Sequence, residues 1–295
     1  MRNAVAEHDI GHRESGGLMA LLKNHFGAGP AKPGDSFGAP GQGKSAAISV
    51  ATVVTLLALW TLVTNLGLIQ PLFLPTPQAV IHKFYEVAVS GFGGGTLLEH
   101  TLASMSRVFG AFAVAVVTAI PIGVMMGVNR VMRGIFDPPV EFYRPIPPLA
   151  YLPLAIIWFG IGEESKVILI FLSMFAPMCL NARAGVRSVS IEQIHAAYAM
   201  GANRGQVIMQ VILMGAMPEI ITGMRIGIGF GWTTLVAAEM VAAKQGLGYM
   251  VLNASEFLVT DVVFMGIIVI GLIALGFDIM MRFLERWLVP WKGKV

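Results

Sequence analysis

The sequence predicts an all-α protein that crosses a membrane several times, and three observations carry that reading. Hydrophobic residues make up 56% of the chain and charged residues only 13%, against roughly 25% charged in an ordinary soluble domain. The mean hydropathy is +0.73, so polar groups cannot cover a water-facing surface. Apolar stretches of about 20 residues, the length that crosses a hydrocarbon core as a helix, recur along the chain.

Residues 1–45 precede the first such stretch and are rich in Gly, Pro, Ser and charge. They bury too little apolar surface to offset ordering entropy, so a disordered tail is expected, with Leu18 to Leu22 as a short surface helix. No early apolar run is present, so no cleavable signal peptide is read there. Gly38-Ala39-Pro40-Gly41-Gln42-Gly43-Lys44-Ser45 fits the spacing of a phosphate-binding loop. That loop works only between a buried strand and a helix. Here no strand pattern precedes it and a membrane stretch follows, so a chance match in a Gly/Pro linker is the better reading.

Six spans are then expected. The first runs from Ala46 to Ile69 without a charge, and Pro71, Pro75 and Pro77 end it. The second runs from about Leu102 to Val128, with Arg107 near its start. The third, from about Val140 to Ile161, contains Pro145, Pro147, Pro148 and Pro153, and should be broken or bent. The fourth covers Val167 to about Ala184, the fifth Ile220 to Ala243, and the sixth Val262 to Met281. An even number puts both termini on one side. With the amino terminus inside, sixteen of the twenty Lys and Arg fall on the cytoplasmic side and only Lys83, Arg107, Lys166 and Lys244 outside. The positive-inside rule therefore selects that orientation.

The orientation places the polar stretch Val186–Glu219 in the cytoplasm. About 35 residues of helix-forming polar sequence is long for a passive link between spans. Pinned at the surface by its flanking spans, it is suited to press a helix-turn-helix into a soluble partner and pass on that partner's motion.

Charges within spans are expensive, so each is a site candidate. Arg225 and Glu239 are 14 residues apart, about 21 Å along a helix, and cannot pair within it. Arg225 is expected to snorkel to headgroups, and Glu239 to meet Lys244 or Arg107. Asp278 and Arg282, four apart, should pair on one helix surface. Glu163 and Glu164 are expected in a short outer turn, solvated or facing a docking protein. Gly223, Gly227 and Gly231 repeat every four residues, as do Gly123 and Gly127. Such rows let helices pack backbone to backbone in lipid or line a moving interface. Trp232, Thr233 and Thr234 are candidate pore-lining residues. Cys179 lies in an apolar stretch and reads as a packed thiol. The six histidines are scattered, and none pairs with a nucleophile or forms a metal set.

The stretch His195-Ala196-Ala197-Tyr198-Ala199-Met200-Gly201, followed by Val211-Ile212-Leu213-Met214, resembles the signature of binding-protein-dependent ABC importer permeases, E-A-A-x3-G-x9-I-x-L-P. Ala196, Ala197, Gly201 and Leu213 match at the right spacing. His195 stands where Glu is usual, Val211 where Ile is usual, and Met214 where Pro is usual. Tyr143-Arg144-Pro145-Ile146-Pro147-Pro148, Ile157-Trp158-Phe159-Gly160-Ile161-Gly162 and Gly231-Trp232-Thr233-Thr234-Leu235-Val236-Ala237-Ala238-Glu239 look like the nitrate/sulfonate/taurine branch. The ending Thr260-Asp261-Val262-Val263 and Arg286-Trp287-Leu288-Val289-Pro290-Trp291 looks most like taurine permeases.

The resemblance covers roughly residues 50–292. It implies a multi-pass permease of the bacterial inner membrane, paired with a second copy of itself, with two cytoplasmic ATPase subunits and with a periplasmic substrate-binding protein. It also implies that ATP and Mg are bound by the ATPase and that this chain holds no cofactor and no nucleic acid. The domain reading becomes a cytoplasmic tail (1–45), a first span with its periplasmic connection (46–98), a permease core (99–285) with the coupling loop at 186–219, and a cytoplasmic end (286–295). The expected function is ATP-driven import of taurine or a related small sulfonate by alternating access. The alternatives are nitrate or another small anion in the same class, or an ion-gradient-driven transporter, which would need mid-span carboxylates as ion sites. An intramembrane enzyme lacks a catalytic set.

Overall fold

The computed structural model describes residues 45–291, with side chains from residue 48. Among them every regular element is helical, apart from one isolated bridge between Phe92 and Gly95. The expectations for residues 1–44 (the disordered tail, the helix at Leu18–Leu22 and the loop-like motif up to Lys44) lie outside the described residues, as do residues 292–295.

The chain divides into two compact units, Met1–Leu59 and Trp60–Val295. Of the first, the described part is the start of α1 (Ser45–Asn65), which presents Val53, Leu56 and Leu59 outward. The second unit holds the rest of α1 and everything after it. There the indole N–H of Trp60 donates to the Pro75 carbonyl at 3.0 Å, closing the proline turn. Thr76 caps α2 (Pro77–Ser90), which buries Val80 and Val87. A capping box of Thr96 and Glu99 opens α3 (Leu97–Val128).

Among the described residues, five helices are long and apolar enough to cross a bilayer: α1, α3, α6 (Glu163–Ser188), the rod Arg204–Ala242, and α11 (Thr260–Leu288). The third expected span is built in pieces, as its prolines require. These are α4 (Arg130–Tyr143), a 3₁₀ turn (Pro148–Tyr151) and α5 (Leu152–Phe159). Their neighbours on α6 show the path. Asp137 pairs with Arg183. Arg144 and Pro145 border one cleft with Ala176 and Pro177. Leu152 and Ala155 pack with Leu169. From Arg183 to Leu169 is about 21 Å of helix, so the broken segment climbs α6 from one end of the bundle towards the other. The irregular backbone packs on α6 along one side only, and Pro145, Pro147, Leu149 and Ala150 stay exposed.

The centre of the unit is α6, held between α3 and the rod. Glycine brings the backbones together on both flanks. A Cβ on Gly123 would collide with the Cys179 carbonyl and the Ala182 methyl, and one on Gly127 with Val186. From the other side Gly223 abuts Asn181, Gly227 abuts Met178, and Gly231 abuts Met174. Both glycine rows therefore pack against the same helix of the same chain. Cys179 is fully buried between them. α11 runs antiparallel to the rod, with Phe277 edge-on to Trp232 at 5.3 Å.

Candidate functional site

The family-like stretch begins at α7 (Ile191–Ala199). Ser190 caps it, its hydroxyl accepting from the Gln193 N–H at 3.3 Å. The Glu192 carboxyl in the first turn is held below its ordinary pKa by its own backbone N–H and by the Ser190 hydroxyl. Gly201 ends the helix at φ +87°, a left-handed conformation that glycine adopts without strain. The Gly201 N–H donates to the Tyr198 carbonyl and the Ala202 N–H to the Ala197 carbonyl, at 2.9 and 3.1 Å. Asn203 and Gln206 then form a reciprocal capping box that starts α8 (Arg204–Gln206). The chain winds through one π-helical stretch, Val207–Ile212, into α9 (Leu213–Ala242).

This differs from two short helices joined by a turn. The second is the root of the fifth span, so Arg204–Ala242 is one continuous rod of 39 residues. Met214, standing where the family pattern has proline, keeps a backbone N–H and lies inside that rod. Pro218 is accommodated further along it.

The two signature alanines have different surroundings. Ala197 is 6% exposed and packs with Val186, Val207, Ile212 and Ala216. It fastens α7 to the body, helped by the partly buried Ile194, Val211 and Leu213. Ala196 faces outward with His195, Tyr198, Ala199 and Met200. Met214 is also exposed. Among the described residues no His, Cys, Asp and Glu groups gather in a metal-binding set, His195 included.

At the opposite end of the rod lies a buried charged cluster. Glu239 is fully buried. Its carboxylate accepts from Arg107 Nη1 at 2.6 Å, from the Ser104 hydroxyl at 2.8 Å and from the Gly248 N–H at 2.9 Å. Arg107 also donates to the Gln245 carbonyl at 2.7 Å and, through Nε and Nη2, to both oxygens of Glu163. Lys166 donates to Glu163 at 2.8 Å. Of the two expected partners of Glu239, Arg107 is the one found, and Lys244 stays exposed. Glu163 is an ion-pair partner rather than a purely solvated turn residue.

Three successive amides fasten α10 (Leu247–Glu256) onto this cluster. The Gly246 N–H donates to His100 Nδ1 at 3.0 Å, Leu247 to Ser104 Oγ at 2.9 Å, and Gly248 to Glu239. Since His100 Nδ1 accepts a backbone N–H, the proton sits on Nε2, which donates to the Phe92 carbonyl at 2.8 Å. Gly246 has φ +139°, and a Cβ there would strike the Glu239 carboxylate. Sequence reading missed His100, Ser104 and this loop. The available signal was spacing, because His100, Ser104 and Arg107 recur at i, i+4 and i+7 on one helix face of an otherwise apolar span.

The remaining candidates separate. Trp232 and Thr234 are buried within the chain, at 5% and 6% exposure, and only Thr233 of the three stands outside. Gly223, Gly227 and Gly231 face α6. Asp278 accepts from Arg282 Nε at 2.8 Å, the expected pair. Arg225 reaches Glu285 at 3.7 Å and Asp278 at 4.0 Å.

Residues 119–290 match the family described as "Binding-protein-dependent transport system inner membrane component". The chain belongs to that family. It is therefore a multi-pass permease subunit of an ABC importer in the bacterial inner membrane, not an enzyme, and its family works with a substrate-binding protein and an ATPase. It is 53% identical to the taurine transport system permease protein TauC of Escherichia coli, over 84% of this chain and 90% of that one. The putative aliphatic sulfonates transport permease protein SsuC of Bacillus subtilis is 34% identical over 81% of this chain and 85% of its own. The nitrate import permease protein NrtB of Synechocystis is 31% identical over 75% and 82%. In fold, the chain is similar to an inward-facing structure of the MetNI methionine ABC transporter, with TM-score 0.53 and 19% identity over 63% of this chain and 94% of that one.

Proposed function

We propose that this permease imports taurine or a related small sulfonate by alternating access. Two copies of the chain form the pathway. A periplasmic binding protein delivers substrate at the Glu239 end, and two cytoplasmic ATPase subunits, which bind the ATP and Mg, seat α7 at the other end. Both termini then face the cytoplasm. The substrate class is supported by the resemblance to the taurine permease. It also suits the spans, whose charges are largely paired with one another, so a net-neutral zwitterion meets little fixed charge.

The observation that carries the mechanism is the mounting of α7. Its inner face is clamped to the rod through Ala197, and its outer face offers His195, Ala196, Tyr198, Ala199 and Met200. The small Ala196 lets a partner surface come close. A helix held in this way moves as a rigid body with whatever grips it. The glycine rows serve packing inside each copy, and Thr233 is the member of its triad left to meet the pathway. Glu239 has its oxygens occupied by Arg107, Ser104 and Gly248, which argues against its use as an ion-coupling site.

The test is uptake by vesicles containing the assembled transporter, combined with an Ala196→Cys variant. Cys179 is buried, so the new thiol is the accessible one. The expected result is ATP-dependent taurine uptake that survives collapse of ion gradients, and cross-linking of residue 196 to the ATPase. Uptake abolished by ionophores alone, or a residue 196 that never captures the ATPase, would overturn the mechanism. Nitrate displacing taurine at lower concentration would move the substrate to the anion class.

A further inference from the structure

We propose that the cleft between α9 and α11, at the α7 end of the bundle, binds the headgroup of an anionic phospholipid. The cleft has a volume of about 520 Å³ and is lined by Arg225, Arg282, Glu285, Arg286, Val289 and Pro290. Three guanidiniums converge on it. With Glu285 and the adjacent Asp278 they leave one net positive charge. Arg282 holds Asp278 through Nε and Nη2, which leaves Nη1 to donate into the cleft. Arg225 holds its carboxylates only at 3.7 and 4.0 Å. Arg286 makes no ion pair within 4 Å among the described residues. A guanidinium presents a planar fork of donors that matches a phosphate, so this lining is built for a phosphodiester.

The surroundings identify the source of that phosphate as lipid. Leu272, Leu275, Ile279, Phe283 and Trp287 stand outward at 61%, 54%, 57%, 73% and 72% exposure. Their spacing of three or four residues makes one apolar stripe along α11. Arg282 and Arg286 lie on the edge of that stripe, where it meets the cleft. Exposed aromatic residues beside arginines mark the level at which a bilayer passes from acyl chain to headgroup. An acyl chain lying along Leu272 to Phe283 would therefore bring its phosphate to Arg282 and Arg286. Basic pockets between membrane helices select anionic headgroups over zwitterionic ones, because the net charge rewards them.

The full-length chain, purified in neutral detergent with the subunits it retains, tests the proposal by the amount of phosphatidylglycerol held per chain and by exchange into phosphatidylcholine nanodiscs. Wild type should retain phosphatidylglycerol in preference to phosphatidylcholine. Arg282→Gln/Arg286→Gln should weaken retention about thirtyfold, and Glu285→Gln should strengthen it. Arg130→Gln/Arg133→Gln removes the same charge at the start of α4 and should leave retention unchanged. Equal loss in that control, equal retention of the two lipids, or displacement of the lipid by millimolar inorganic phosphate would each overturn the assignment. If the double arginine variant does not fold, the Glu285→Gln result decides, and unchanged retention there refutes the site.

Discussion

Replacing Arg107 by Gln tests whether the charged cluster holds the outer end of the rod. Glu239 is fully buried, and the Arg107 side chain is 6% exposed. Without Arg107 the carboxylate keeps only the Ser104 hydroxyl and the Gly248 N–H, while Glu163 and the Gln245 carbonyl each lose a charged donor. Removing one partner of a buried pair costs about 3–5 kcal/mol, most of it from the stranded charge. Glu239→Gln should cost less, about 1–3 kcal/mol, because Arg107 still has Glu163 and the Gln245 carbonyl. The double variant strands no carboxylate in the core, so it should fall short of the sum of the singles by at least about 1 kcal/mol. Reversible unfolding in mixed micelles, followed by tryptophan fluorescence, gives all three values. Arg107→Gln within about 0.5 kcal/mol of wild type, or strict additivity in the double variant, would refute the reasoning.

Two further outcomes follow from the packing. Gly123→Ala, whose methyl would meet the immovable Cys179 carbonyl, should destabilise by about 1–3 kcal/mol. Gly110→Ala on the same helix has open space around it and should be neutral or stabilising by up to about 1 kcal/mol, as thermal denaturation of the pair will show. The signature alanines should also part: Ala197→Arg forces a charge into the cluster around Val207 and Ile212 and should lower stability, whereas Ala196→Arg should leave the melting temperature unchanged and abolish uptake.

What was legible in the sequence follows from periodicity. The long spans were readable because each is a run of apolar residues with few breakers, and the broken third was readable from its prolines. The ends were less so. α3 begins at Leu97 rather than Leu102, because the capping box at Thr96 recruits a polar turn into the helix. α11 continues to Leu288, beyond Met281, because Arg282 and Arg286 extend an amphipathic helix past the point where hydropathy falls. The rod reaches back to Arg204 for a similar reason. Which residues of the coupling stretch face inward was hidden, since Ala196 and Ala197 are chemically alike and only tertiary packing distinguishes them. The amides of Gly246 to Gly248 were invisible for a different reason: backbone donors leave no mark in side-chain identity.

The arrangement also limits how motion can pass through the molecule. α3, α6 and α9 touch through backbone at Gly123, Gly185 and Gly223, and close-packed contacts of that kind switch between states rather than stretch. The ion cluster pins the same three helices at one end, and α7 is fastened to α6 and α9 at the other through Val186 and Ala216. Under the proposed mechanism this block pivots as one lever, and the repacking falls on surfaces outside it. Ile226, Phe230 and Thr233 make an exposed strip along the middle of the rod, between the cleft beside α6 that Phe230 borders and the one beside α11 that Thr233 borders. Two copies rolling on that face would open and close a pathway without bending any of the three helices. The π-helical stretch at Val207–Ile212 is the one departure from α-helical winding along the rod, and its Val207 and Ile212 pack with Ala197, so the irregular winding sits at the seat of α7.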